Sequence, residues 1–397
     1  MKQYGLNALI ASSPINVFYT SDLCQYGECY ALLPYERSVE PAVVVPISIS
    51  APSVVMSPPW ISDVRYYGEF YTETRWAEEP LTDSERRLVA AQRSWEKTEE
   101  GDPVAILIKL LRERGLTRGK IGVDESNLPA EHSFWQRLKS SLPQLELVRA
   151  EKIFSEIRMI KTDEEVRRFQ KAVDITEEAW GRALEQAREG MTEREFSDIY
   201  LHTIISEGGR ISSLGHYGMG MYGPPISFGR RTAFVDIMLP SDYKLKRGDL
   251  IRFDGGCSYM GYDCDMGRTA VLGQPTQKQR KYYDATLKGE ELGIEMTKPG
   301  VKASDIFNAV MNAVRKGGIS HYRRQNTGHG LAIQHTDPPR IGPKDQTPLE
   351  EGMVLCVETP YYEVGFGGLI VEDILLVTKK GHRRLTRSSR DLSAVGE

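Results

Sequence analysis

Two aspartates, Asp254 and Asp265, are separated by eleven positions, with a turn predicted near Gly261 between them. Residues 250–253 are largely apolar and predict a buried strand that leads into Asp254. A hairpin would place the two carboxylates side by side on neighbouring strands. Because a buried carboxylate without a partner is unfavourable, we expect a metal ion or an arginine beside Asp254. Taken alone, the pair is also compatible with turn capping or a solvated surface.

Three further residues could act as metal ligands together with these aspartates. His329 lies between two glycines, which leave its imidazole uncrowded at a backbone bend, although a loop histidine would look the same. Glu358 and Glu372 each lie in a strongly apolar segment that predicts a strand, where glutamate is rarely structural unless paired or coordinated. Together, the four carboxylates and one imidazole form a ligand set for two divalent ions.

The elements that must position these residues fall into two regions. Residues 1–155 alternate short apolar runs with helical patterns and predict a small α/β domain. Within it, residues 60–76 are rich in aromatic and acidic residues without periodicity, and we predict a long loop there. Thr162 followed by Glu165 predicts a capping box that opens a helix. A second domain over 156–397 mixes strands with paired helices, as in α+β folds.

Bulk properties exclude several classes of protein. A length of 397 residues favours two domains, and a net charge of -4 provides no basic surface for nucleic acid. The sequence has no signal peptide pattern and no apolar run long enough for a membrane, so we predict a cytoplasmic protein that does not bind membranes. The five cysteines form no C-x-x-C pair, so we expect no disulfides and interpret Cys257 and Cys264 as buried free thiols.

The sequence resembles the pita-bread metallopeptidases, which include prolidase, aminopeptidase P and methionine aminopeptidase, with creatinase as a relative. The resemblance rests on the linker 156–165, the strand 245–254 and an ordered set of five residues. That set, Asp-Asp-His-Glu-Glu, is matched by Asp254, Asp265, His329, Glu358 and Glu372. The resemblance implies a pita-bread catalytic domain, a smaller creatinase-like N-terminal domain, and a homodimer in which the 60–76 segment shields the partner's site.

The resemblance also implies a role for each residue. Asp265 and Glu372 would bridge two divalent ions (Mn²⁺, Co²⁺, Fe²⁺ or Zn²⁺), Asp254 would complete one, and His329 and Glu358 would complete the other. Such a pair activates water to hydrolyse an amide C–N bond, with Xaa-Pro dipeptides as the expected substrate. Glu358 would also move a proton to the leaving nitrogen. His335 matches the family's second histidine, which contacts substrate; an ordinary loop histidine is the alternative.

The sequence departs from the family pattern where substrate is held. Ile237 replaces a histidine of the proline-specific members, and Ile370 replaces an arginine two residues before the last glutamate. Thr359 follows Glu358 where the family usually has proline. We therefore expect a more apolar pocket, less suited to a dipeptide carboxylate. His216, in a glycine-rich stretch, is a candidate replacement for the missing imidazole, or else a loop histidine.

These departures keep two other functions open. One is a pita-bread enzyme repurposed for a non-peptide small molecule, as creatinase, ectoine hydrolase and dimethylsulfoniopropionate lyase are. The other is a catalytically silent binding module, which the complete ligand set argues against.

Overall fold

The computed structural model describes residues 1–23, 27–48, 54–55, 58–70, 79–93, 102–124, 133–211, 226–234, 240–333 and 336–396. The chain divides into two compact units, Met1–Phe154 and Ser155–Glu397. Within the described ranges, no helix combines the length and the apolar character needed to cross a lipid bilayer.

The first unit is built on a six-stranded mixed sheet in the order β4-β3-β2-β1-β5-β6. Its strands are β1 Ala8–Ala11, β2 Tyr30–Pro34, β3 Ala42–Pro46, β4 Asp63–Tyr67, β5 Gly119–Val123 and β6 Leu145–Arg149. Its helices are α1 Pro14–Ser21, α2 Asp83–Arg93, α3 Pro103–Glu113, α4 Ser133–Ser141 and α5 Glu151–Met159, the last of which ends in the second unit. A short 3-10 helix, Lys2–Tyr4, precedes β1.

Strand β4 corrects one prediction. The 60–76 segment was expected to be a long loop, but Asp63–Tyr67 pairs in parallel with β3. Strand pairing supplied by a distant part of the chain explains why the local pattern did not indicate it. Residues 71–76 of the predicted loop lie outside the described residues.

The described part of the second unit contains four long helices, a large sheet and two small hairpins. The helices are α6 Asp163–Glu185, α7 Glu193–Ser206, α8 Gln277–Met296 and α9 Ala303–Gly317. The strands are β7 Ile226–Phe228, β8 Leu250–Gly255, β9 Ser258–Tyr259, β10 Tyr262–Asp263, β11 Met266–Leu272, β12 Gly328–Gly330, β13 Asp337–Arg340, β14 Val354–Glu358, β15 Tyr361–Glu363, β16 Gly367–Leu369, β17 Glu372–Thr378, β18 Gly381–Arg384 and β19 Ser393–Val395. A 3-10 helix, Gly229–Ala233, follows β7.

Local sequence explains where the long helices begin. Thr162 and Glu165 form the predicted capping box at the start of α6, in which each side chain binds the backbone of the other residue. The same arrangement opens α7 through Thr192 and Glu195. The prediction of a helix start at this linker is therefore confirmed.

The nine-stranded sheet has the order β13-β12-β14-β17-β11-β8-β7, with β18 paired to β17 and β19 to β11. Its helices cover one face. Phe253 of β8 stacks on Trp180 of α6 at 5.3 Å between ring centres, and Val357 of β14 belongs to one apolar cluster with Val310 of α9. Because side chains alternate along a strand, the neighbours Asp254 and Glu358 point to the opposite face.

Candidate metal centre

One row of directly paired residues crosses four strands of the large sheet. Asp254 on β8 faces Gly267 on β11, Gly267 faces Glu372 on β17, and Glu372 faces Glu358 on β14. Directly opposite residues project from the same side of a sheet, so three carboxylates share one face. A Cβ on Gly267 would lie 2.6 Å from Ile370 and 3.0 Å from the Cβ of Glu372. Glycine at this position therefore leaves room for Ile370 and Glu372.

His329 enters from the neighbouring strand, β12, where it pairs with Cys356 of β14. The two flanking glycines have a steric reason. Gly328 has φ 135°, and a Cβ there would lie 2.1 Å from the carbonyl oxygen of Cys356. A Cβ on Gly330 would lie 2.2 Å from the carbonyl oxygen of Pro338. The Gly-His-Gly pattern thus allows β12 to pack closely between its two neighbours and to present the imidazole.

Two overlapping groups of possible ligands result. One oxygen each from Asp254, Asp265 and Glu372 lies within 4.8 Å of the others, and the same limit holds for a second group formed by Asp265, His329 and Cys356. Nε2 of His329 is 3.5 Å from Oδ2 of Asp265. Asp265 belongs to both groups, which is the position that a bridging ligand needs.

The two aspartates approach each other in a different way from the predicted simple hairpin. A small hairpin, β9 and β10, is inserted between β8 and β11, and it turns at Met260 and Gly261, both with positive φ. Asp265 follows this insertion and stands just before β11, and the residue that faces Asp254 is Gly267. The insertion therefore places the two carboxylates close together without direct strand pairing.

Ionisation of the clustered carboxyl groups is unfavourable in the folded protein. Burial raises the pKa of Glu372 well above its ordinary value, and the nearby charge of Asp265 adds to this effect. Burial also raises the pKa of Glu358, and the charge of Asp254 adds to it despite the opposing guanidinium of Arg324. Without cations, these groups would favour their protonated forms.

Opposing effects act on the pKa of His329. Burial is the largest single effect and disfavours its charged form, but the hydrogen bond and charge of Asp265, the charge of Glu358 and the Gly330 carbonyl together outweigh it, so the net pKa is raised. A buried set of carboxylate oxygens with one imidazole matches the donors that divalent ions of intermediate hardness prefer. The residues that the structure brings together therefore fit divalent metal ions.

Two arginines next to this cluster, the buried Arg252 and the half-buried Arg324, were not singled out from the sequence. Nη2 of Arg252 is 3.4 Å from Asp254, and Nη2 of Arg324 is 3.6 Å from Glu358. The guanidinium carbons lie 4.8 Å and 5.6 Å from the ring centre of Tyr362.

The arginine expected as one possible partner of Asp254 is thus present. The more apolar pocket was predicted from Ile237 and Ile370, and because Ile237 lies outside the described residues it stays a prediction. The sequence feature that could have indicated Arg252 is its position two residues before Asp254 in an otherwise apolar strand.

Ile370 is fully buried, and its side chain lies beside Gly267. His216, His335 and Ile237 lie outside the described residues, so the predictions made for them stay predictions. Cys257 and Cys264, which were interpreted as free thiols, are buried and unpaired, as are the other two cysteines of the described chain, Cys29 and Cys356.

A network of buried ion pairs contacts the row of paired residues at Glu372. Nη1 of Arg268 donates to the carbonyl oxygen of Glu372, and Nη2 donates to Asp373 at 2.6 Å. Asp373 also accepts a hydrogen bond from the hydroxyl of Thr386 at 2.5 Å. Arg268 is on β11 and Glu372 on β17, which share only one directly paired position, so the network holds these strands together where the pairing is short.

Comparison with known proteins identifies a family for both halves of the chain. The sequence model of Metallopeptidase family M24 matches residues 167–379, and that of the Creatinase/Prolidase N-terminal domain matches residues 71–160. An Xaa-Pro dipeptidase of Pyrococcus horikoshii is 31% identical over 268 residues, which cover 68% of this chain and 73% of that protein. An Xaa-Pro dipeptidase of Pyrococcus furiosus is 31% identical over 66% of this chain and 72% of its own length.

Solved structures show the same fold. The prolidase from Pyrococcus horikoshii OT3 superposes with a TM-score of 0.73 at 25% identity and covers 99% of this chain and 97% of its own. An Xaa-Pro dipeptidase from Bacillus anthracis gives a TM-score of 0.76 at 19% identity, with 99% and 96% covered. The predicted pita-bread fold with a creatinase-like N-terminal domain is confirmed, and a metal-dependent hydrolase is favoured over a repurposed or silent protein. The chain belongs to metallopeptidase family M24.

Proposed function

We propose that the chain hydrolyses the peptide bond of Xaa-Pro dipeptides with the help of two divalent metal ions. The observation that carries the proposal is the cluster of Asp254, Asp265 and Glu372, whose oxygens lie within 4.8 Å of one another although Asp265 and Glu372 are almost fully buried. The two Pyrococcus relatives, both named Xaa-Pro dipeptidases, support the substrate class.

The proposed ligands keep the roles that the resemblance implies. Asp254, Asp265, His329, Glu358 and Glu372 would hold the ions, with Asp265 and Glu372 shared between them, Asp254 on one and His329 and Glu358 on the other. When bound, such ions lower the pKa of water and polarise the scissile carbonyl. The side chain of Glu358 lies at the edge of the cluster with 13% of its surface exposed. By the resemblance, Glu358 would take up a proton from the attacking water and pass it to the leaving nitrogen.

Further parts of the proposal come from the sequence and from the resemblance. His335 contacts the substrate, and His216 replaces the imidazole absent at Ile237. The ions are Mn²⁺, Co²⁺, Fe²⁺ or Zn²⁺, because oxygen-rich sites with one imidazole accept all four and their availability decides. A homodimer and a cytoplasmic location complete the proposal.

A second candidate function has one observation in its favour. Ile370 is buried where the family usually has an arginine, and this change suits a substrate with an apolar group at that place. This candidate is an enzyme of the same fold that acts on a non-peptide small molecule. The similarity to Xaa-Pro dipeptidases favours the first function.

Metal content and a dipeptide panel test the proposal together. The purified protein is stripped with a chelator, reloaded with each of the four metals, and analysed by mass spectrometry for ions per chain. It is then assayed on Ala-Pro, Gly-Pro and the matched control Ala-Ala. We expect about two ions per chain and turnover of the proline-containing dipeptides. Binding of metal without hydrolysis of any Xaa-Pro dipeptide would exclude the first function and leave the second.

A further inference from the structure

Cys356 lies inside the candidate metal centre although it is not one of the five proposed ligands. It stands two residues before Glu358 on β14, so the two side chains leave the same face of the sheet. His329 is its direct partner on β12. The sulfur of Cys356 lies within 4.8 Å of ligand atoms of His329 and Asp265, and the residue is fully buried. Residues that are proposed to hold metal therefore surround a buried thiol.

The thiol of Cys356 also contacts the carboxylate of Glu372. A hydrogen bond joins the two side chains. The ordinary pKa of a thiol lies above neutral pH, so the sulfur carries a proton that it can donate, whereas an ionised carboxylate can only accept. The other acidic groups that act on Glu372 are themselves proposed metal ligands. The S–H group is thus a donor within a cluster of acceptors.

The hydrogen bond from Cys356 is compatible with metal binding by Glu372. Each carboxylate oxygen has two lone pairs, so a carboxylate shared between two ions can still accept a hydrogen bond. The backbone of Glu372 is held separately, since Nη1 of Arg268 donates to its carbonyl oxygen. The main chain and the side chain of Glu372 are therefore fixed by different donors, on β11 and β14.

The backbone at Cys356 is held on both sides. On one side, β12 packs so closely that a Cβ on Gly328 would lie 2.1 Å from the carbonyl oxygen of Cys356. On the other side, Cys356 pairs with Ile374 of β17, the strand that also carries Glu372. The position of the thiol relative to the carboxylate is therefore set by strand pairing.

We propose that Cys356 is a positioning residue, which donates a hydrogen bond from its thiol to Glu372 and holds this carboxylate in the orientation that two metal ions share. The inference rests on the proposed function, and it adds a residue that does not itself bind metal. Replacing a residue that orients a metal ligand through a hydrogen bond typically weakens metal binding by about 10- to 100-fold. The effect can therefore be measured on metal binding without any substrate.

Three replacements separate the hydrogen bond from the space that the thiol fills. Cys356→Ser keeps a donor but is smaller, Cys356→Val fills the space but has no donor, and Cys356→Ala does neither. The alanine and valine variants should bind Mn²⁺ and Co²⁺ at least about tenfold more weakly than the parent, and the serine variant should recover most of that loss. Calorimetric titration of the metal-free protein measures the affinities, and urea denaturation with a chelator measures the stability of each metal-free variant.

Two other roles for Cys356 predict different results. If the thiol only fills space, Cys356→Val should bind metal like the parent, and Cys356→Ser should bind it as weakly as Cys356→Ala. If the sulfur itself binds metal, the parent loaded with Co²⁺ should show a sulfur-to-cobalt charge-transfer band in the near ultraviolet, because a thiolate is a good ligand for such ions. Either result would overturn the inference, which expects the parent to lack this band.

Cys257→Ala is the matched control. Cys257 is also a buried free thiol of the second unit, and its sulfur donates to the carbonyl oxygen of Ala172 at 3.3 Å. This acceptor belongs to the backbone of α6 and is not a proposed metal ligand. The variant loses a thiol hydrogen bond as Cys356→Ala does, but it should bind Mn²⁺ and Co²⁺ with the affinity of the parent.

Measuring metal binding and dipeptide hydrolysis together separates failure of this inference from failure of the proposed function. If the parent binds two ions but hydrolyses no Xaa-Pro dipeptide, the proposed function fails, whereas a loss of affinity in Cys356→Ala that Cys356→Ser recovers still supports the positioning role. If the parent hydrolyses Ala-Pro and all three Cys356 variants bind metal as it does, the inference is wrong and the peptidase function stands.

Discussion

Lys161 carries a buried ammonium group in the linker between α5 and α6. It is 7% exposed, and its Nζ donates to the carbonyl oxygen of Met159 at 3.1 Å. Burial lowers the pKa of Lys161 from 10.5 to about 8, although the charges of Asp337 and Glu165 favour the charged form. The folded protein therefore holds this proton less tightly than the unfolded chain does.

The pKa shift gives both the sign and the size of an effect on stability. Between pH 8 and 10.5 the unfolded chain keeps the proton that the folded protein has lost, so the free energy of unfolding rises with pH. Below pH 8 both states are protonated, and the folded state carries the full penalty of about 3 kcal/mol, at about 1.4 kcal/mol for each pKa unit. At pH 10 the penalty falls to below about 1 kcal/mol.

Lys161→Met removes the titrating group. When the pH rises from 7 to 10, the free energy of unfolding of the parent should increase by about 2 to 3 kcal/mol relative to that of the variant. Urea denaturation at both pH values measures it, because taking the difference cancels the other titrating groups. Lys171→Met, at an exposed position of α6, is the control and should change stability by less than about 0.5 kcal/mol. A Lys161→Met difference that does not vary with pH would refute the reasoning.

Three other changes test the metal site and its frame. Asp265→Asn should reduce bound metal to below about one ion per chain, measured by mass spectrometry, and unchanged metal content would contradict the shared position of Asp265. Gly330→Ala should lower stability by about 1–3 kcal/mol and reduce metal content, because its Cβ meets the Pro338 carbonyl, whereas Gly381→Ala, with no atom within 4 Å, should do neither. Arg268→Gln should cost about 3–5 kcal/mol by leaving Asp373 without its closest cation; a loss in urea denaturation below about 1 kcal/mol would show that Arg384 and Arg390 suffice.

Features that depend on residues close together in the sequence could be predicted from its pattern. The capping box at Thr162 and the amphipathic pattern of the long helices depend on residues three or four positions apart, and the structure has both. The carboxylates stood out because acids interrupt apolar strands, where burial demands a cation. Gly328 and Gly330 were noted as uncrowded neighbours of His329, and the structure shows that they are sterically required.

Features that depend on strand partners could not be predicted in this way. Strand β4 was missed because its hydrogen bonds come from β3, about twenty residues earlier in the chain. Arg252 and Arg324 were missed because they are 72 positions apart in the sequence and lie near the same tyrosine ring, that of Tyr362, only in the folded chain. Cys356 was likewise not considered near the site, since its proximity to His329 follows from the register between β12 and β14.

The row that joins Asp254, Gly267, Glu372 and Glu358 limits how this half of the protein can change during evolution. Neighbouring residues of a strand point in opposite directions, so gaining or losing one residue inside β8, β14 or β17 would turn a donor atom towards the helices. Changes in chain length can then be tolerated only in the connecting loops, and the strands themselves can diverge only by replacement of one amino acid with another.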